Sequence, residues 1–198
     1  KKEFSKIISK NKKNIGFWSE NKTLELFVTK DFGATSVFKP DVNNFQFIYN
    51  DLKNLKNIEI QKTEKINCMS IHNFCFENNI KQLDYIKIDT QGSEFEILSG
   101  LDKFRPLIIK TEAQTLNCYK KINTFDQIIK LLDNFGYVAI SFDRLDYSVL
   151  KLPIFIDILF VPKFQNYKES AIIKGRKEKF ISILQIFRLE KFLKLYNL

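Results

Sequence analysis

Glycine and proline are scarce in this 198-residue chain, at six and four copies, and Met, Trp and His occur once each. So few backbone breakers exclude a collagen-like or Gly/Pro-rich low-complexity chain. The three cysteines, Cys68, Cys75 and Cys118, form no C-x-x-C pair. That excludes a disulfide scaffold and points to free thiols in a reducing, cytoplasmic setting, with no metal-ligand spacing. No stretch approaches the roughly 18 to 20 apolar residues of a membrane-spanning helix, since even residues 152–161 hold Asp157. The opening Lys-Lys-Glu-Phe-Ser-Lys lacks both the apolar core of a signal peptide and an initiating Met.

What is present is a large apolar supply: 44% of residues are hydrophobic and Phe occurs 20 times. A chain with that composition can build a core and is not disordered. Lys and Arg outnumber Asp and Glu by 32 to 23, a net charge of +9. At roughly 150 residues per domain, the length suits one domain with basic ends. The reading is a lead-in at 1–14, a globular block at 15–165 and a basic helical tail at 166–198. In the tail, Phe180, Ile183, Leu184, Phe187, Phe192 and Leu195 recur at helical spacing among Lys177, Lys179, Arg188, Lys191 and Lys194. Such a basic amphipathic helix over 174–195 is expected to pack on the sheet or a partner chain, in preference to an anionic membrane surface. Its dispersed lysines mark no specific nucleic-acid partner.

Residues 23–29 alternate as a half-buried strand, and Lys30-Asp31-Phe32-Gly33 supplies a turn before Ser36-Val37-Phe38, which predicts a hairpin. A β-branched segment at 56–61 leads towards Ser70, a cap for a helix over 71–79. Residues 83–89 form a short apolar strand ending in Asp89, followed by Thr90-Gln91-Gly92-Ser93. Ser93 and Glu96 have capping-box spacing, and Gly100 suits a left-handed helix end. A second strand runs from Leu107 to Glu112. Thr124 and Gln127 repeat the capping box, Gly136 ends that helix, and residues 137–142 and 154–161 are the last strands. The order hairpin, helix, β, α, β, α, β, β predicts an α/β layered fold around a mostly parallel sheet. In such sheets ligands gather at the carboxyl ends of the strands, where Asp89 and Glu112 stand beside a helix N-terminus.

The stretch Asp84-Tyr85-Ile86-Lys87-Ile88-Asp89-Thr90-Gln91-Gly92-Ser93-Glu94-Phe95-Glu96-Ile97-Leu98-Ser99-Gly100 resembles the signature of FkbM-type methyltransferases, D-F-(L/I)-K-I-D-(V/T)-(E/Q)-G-x-E-x-x-(I/L)-L-x-G. Residues 106–112 resemble the family's P-x-x-x-x-E strand, residues 131–137 its L-L-x-x-x-G-Y helix end, and residues 157–161 its D-x-x-F-V closing strand. Residues 23–40 are similar to its hairpin. The resemblance spans about 15–162. It implies a Rossmann-like class I methyltransferase sheet with an inserted β-hairpin, S-adenosylmethionine as cofactor, and O-methylation of a sugar or small-metabolite hydroxyl. The family's D-x-G-A-N-x-G loop and following E-P strand have no counterpart in this sequence. The resemblance therefore implies a sheet lacking its first two βα units, about 30 residues each, and weak cofactor binding by this stretch alone.

Under that resemblance Asp89 is the first candidate for a group beside the methyl donor and Glu112 the second, both as catalytic carboxylates. Asp89, Gln91 and Trp18 are the candidate cofactor contacts, Gln91 positioning without accepting a proton and Trp18 stacking on adenine. The plainer readings are a helix-capping Asp89, a core Trp18, a Glu94 stabilised by the helix dipole, a structural Lys87, a solvated surface His72 and packing thiols. The competing function is a non-catalytic α/β interaction module, or an inactive fragment, held at a partner or membrane by its basic tail.

Overall fold

The computed structural model describes residues 15–49, 52–145, 153–164 and 172–196. The basic lead-in and the boundary expected near 165 lie outside them. The first elements are β1 (Gly16–Phe17), β2 (Lys22–Thr29), a 3-10 turn (Phe32–Ala34), α1 (Val42–Tyr49), α2 (Leu52–Asn57) and β3 (Ile60–Met69). Then follow α3 (Ile71–Glu77), β4 (Tyr85–Ile88), α4 (Glu94–Ser99), β5 (Ile108–Gln114), α5 (Phe125–Asn134), β6 (Tyr137–Arg144), β7 (Phe155–Pro162), α6 (Lys177–Ile186) and a 3-10 segment (Glu190–Tyr196). Among the described residues the fold is α/β with two sheets, ordered β1-β3-β2 and β4-β5-β7-β6.

The expected hairpin is corrected: β2 pairs antiparallel with β3 along its length, and the segment after the turn returns only as a Phe27–Ser36 bridge. β3 gives little periodic signal because Gln61, Lys62, Thr63, Glu64 and Lys65 are all exposed, so neither face is marked by burial. Cross-strand charge pairing, Glu25 opposite Lys65, is what its sequence supplies instead. α1 is Asn-rich and a poor helix former, yet Phe45 and Ile48 fill a second core and Asp41 accepts from the amides of Asn43 and Asn44.

The four-stranded sheet is also not mostly parallel. β4 and β5 are parallel, but β7 lies between β5 and β6 and runs against both. Its main core joins Ile108 and Ile109 of β5, Ile158 and Phe160 of β7, Leu98 of α4 and Ile128 and Leu132 of α5. The tail enters the same core: Phe180, Leu184 and Tyr196 are fully buried there, and the Tyr196 hydroxyl donates to the Pro162 carbonyl at 2.6 Å. Among the described residues no helix is long and apolar enough to cross a membrane.

Helix ends follow the sequence in part. Ser70 accepts from the Asn73 amide at 3.1 Å, and the side chain of Gln127 accepts from the Thr124 amide at 2.8 Å. Gly136 is left-handed at φ 88°. Two expectations fail. Gly100 has φ −78°, and its small size serves a close approach, because a Cβ there would overlap the Trp18 carbonyl oxygen. Ser93 makes no capping bond; Glu94 takes that role, accepting from the amides of Thr90 and Gly92.

Candidate active site

β4 ends at Ile88, and its register against β5 places Ile88 beside Thr111, Lys87 beside Lys110 and, one step further, Asp89 beside Glu112. Across the antiparallel pairs Glu112 faces Asp157 of β7, and Asp157 faces Asp143 of β6. Residues paired across neighbouring strands share a face, so four carboxylates form a row across the sheet, and because residues two apart on a strand also share a face, the lysines lie one row below. Lys87 pairs with Asp89 at 2.9 Å and Lys110 with Asp157 at 2.7 Å. Asp89 stands exposed at the strand end, whereas Glu112 and Asp157 are both only 7% exposed.

The turn after β4 is built around Glu94. Its buried carboxylate accepts from the Thr90 amide at 2.8 Å, the Thr90 hydroxyl at 3.0 Å and the Gly92 amide at 2.9 Å. Burial nevertheless moves its carboxyl above the ordinary range. The cradle holds Gln91 in a left-handed conformation, φ 56°. From there Gln91 donates through Nε2 to Glu112 Oε1 at 3.1 Å and accepts through Oε1 from the Tyr119 hydroxyl at 3.2 Å. Its own carbonyl accepts from Ser36 Oγ at 2.7 Å, so the 34–38 loop clamps the turn from outside. A Cβ on Gly92 would collide with Ile122, and its φ of 108° admits glycine readily.

The Glu112 carboxyl is pushed up to about 8, chiefly by burial and then by the negative charge of Asp89, Glu94 and Asp157, with Lys87 opposing. A carboxyl poised there can exchange a proton near neutral pH. Two buried polar atoms beside it have no partner among the described residues: Asp157 Oδ1 and Gln114 Nε2. Gln114 follows Glu112 by two positions on the same face of β5.

The structure therefore brings Asp89, Gln91 and Glu112 together. Trp18 stands one ring away: it packs on Phe38, centroids 5.8 Å apart, and Phe38 lies near Gly92. His72 is elsewhere, half-buried, 2.7 Å from Asp102 and edge-on to Phe104. Cys68 and Cys75 are buried, and burial raises both thiols. Sequence reasoning missed Asp157, Gln114 and Tyr119. Asp157 was visible as an acid inside an otherwise apolar strand, a signal of a buried charge with a purpose.

Residues 9–139 match the methyltransferase FkbM domain, well over half the chain. The chain belongs to that family. The match contains Asp89, Gln91 and Glu112 and stops before β7, so Asp157 lies outside it. No curated protein and no solved structure matches the chain. As an FkbM-domain protein it belongs among methyltransferases, and the strand, turn and helix over 84–100 are the part where the family resemblance and the carboxylate geometry coincide.

Proposed function

We propose that this FkbM-domain protein is an S-adenosylmethionine-dependent methyltransferase that acts on a hydroxyl of a sugar or small polyhydroxy metabolite, with Glu112 as proton acceptor. The observation that carries the reading is the row Asp89–Glu112–Asp157, in which Glu112 is held near pH 8. The cofactor would supply a methyl group activated on a sulfonium. Asp89, a carboxylate at an exposed strand end, has the chemistry to hold the cationic end of that cofactor. The described residues offer no glycine-rich cradle for its ribose and adenine.

Methyl transfer is an in-line displacement, so alignment of the acceptor oxygen is most of the task. Glu112 takes the hydroxyl proton as the new O–C bond forms, and Gln91 fixes the orientation of the carboxylate. Asp157 Oδ1 and Gln114 Nε2, buried beside Glu112 with no partner among the described residues, keep the surroundings of the base polar.

The test is transfer of labelled methyl to a panel of sugars and polyols. Glu112→Gln is expected to lower the rate by about 100-fold or more. The wild-type rate should rise with pH to a plateau above about 8, because only the ionised carboxylate accepts a proton. Folded protein that methylates none of the panel, or a Glu112→Gln variant as fast as wild type, contradicts the proposal.

A further inference from the structure

Carboxylates occupy the carboxyl-terminal end of β4 and β5; positive charge collects at the other end. A groove of about 680 Å³ opens where the end of α3, the loop leading into β5 and the turn leading into α6 meet. That is within the range of small-molecule sites, about 300–1,000 Å³. Among the described residues five cations line it, Lys81, Lys103, Arg105, Lys174 and Arg176, against one acid, Glu77.

Two of these cations are fixed. Arg176, 8% exposed, donates to the carbonyls of Leu83 at 2.8 Å, Arg105 at 2.7 Å and Ile172 at 2.6 Å. Carbonyls satisfy its N–H groups without cancelling its charge. Among the described residues its acidic partner is Asp84, 3.9 Å away and shared with Lys179 at 2.9 Å. Arg105 is held over the Phe135 ring at 4.2 Å while donating to the carbonyls of Phe104 and Asp102. The three lysines are exposed and make no ion pair among the described residues. Like charges gathered in one concavity repel, and a multivalent anion removes that repulsion while accepting charge-assisted hydrogen bonds. Phe76, 75% exposed, lines the same groove and offers an apolar surface beside the cations.

We propose that this groove binds a phosphate ester, with its anionic oxygens on Lys81, Lys103 and Lys174 in the field of Arg105 and Arg176, and its organic part on Phe76. The site is separate from the carboxylate row and does not depend on the methyltransferase reading. Its ligand is a free ester or the phosphate of a lipid headgroup, and one experiment distinguishes them.

ADP and inorganic pyrophosphate are titrated calorimetrically, and phosphatidylglycerol vesicles are used in sedimentation with phosphatidylcholine as control. The same measurements are made on a Lys103→Glu, Lys174→Glu double variant, both positions exposed, whose Tm should stay within about 2 °C of wild type. Expected for a free ester is ADP binding that weakens at least about tenfold in the double variant, with Phe76→Ala affecting ADP more than pyrophosphate. Sedimentation with anionic vesicles that the double variant loses, with no ADP binding by calorimetry, assigns the same site to a lipid phosphate. Binding of neither, or binding that the double variant leaves unchanged, overturns the proposal.

Discussion

At residue 91 the backbone takes a left-handed φ of 56°, a conformation glycine adopts without strain, yet the residue is Gln. The side chain explains the choice: it spans from the Tyr119 hydroxyl to Glu112, which no glycine could do. Strain of about 1–3 kcal/mol at such a position is typical where function fixes geometry. Gln91→Gly should therefore leave the Tm within about 3 °C, since relief of strain offsets the lost hydrogen bonds. The same variant should slow methyl transfer by about tenfold or more and move its pH limb upward. The limb moves because the Nε2 donor favours ionised Glu112, and removing it raises the carboxyl further. A pH–rate profile of the variant with the limb unmoved would show that Gln91 does not tune Glu112.

Among elements, α4 shows how capping differs from its sequence spacing. Ser93 and Glu96 are spaced as a capping box, but Glu94 folds back and takes three donors from the turn that presents Gln91. Ser93→Ala, which removes a single long bond from Ser93 Oγ to the Thr90 carbonyl, is thus expected to cost about 0.5–1.5 kcal/mol. Glu94→Ala leaves the amides of Thr90 and Gly92 unpaired, at about 1–3 kcal/mol each when buried. Urea unfolding of the two variants separates them, and equal losses would contradict this account of the turn. The 84–100 unit was legible because Ile86 and Ile88 mark a strand, and Gly92 and the acids mark the turn and helix start. β3 was not, since a strand exposed on both faces has no apolar alternation to read. Asp157 could be seen but not placed: its neighbour is decided by β7 running antiparallel between β5 and β6, and the one-dimensional order of strands does not state that.

Over the whole molecule, charge is divided between the two ends of one sheet, carboxylates at one and the Arg105–Arg176 groove at the other. The basic tail belongs to this arrangement, since Phe180, Leu184 and Tyr196 are core residues while Lys174 and Arg176 line the groove. Global stability should record the acidic end. The Glu112 carboxyl has its ordinary value of 4.5 when unfolded and is pushed up to about 8 when folded. The folded state therefore holds a proton that the unfolded state has lost, and this contribution is full below pH 4.5 and declines as pH rises through about 8. The Tm of wild type relative to Glu112→Gln should fall across that window, and a pH-independent difference would contradict the shift. The most direct test is a carbon-13 NMR titration of the protein labelled at glutamate side-chain carboxyls, with Glu112→Gln assigning the resonance. The carboxylate row predicts that the signal missing from the variant titrates at about 8; titration of that signal near the ordinary glutamate value of about 4.3 would contradict the role of Glu112 as proton acceptor.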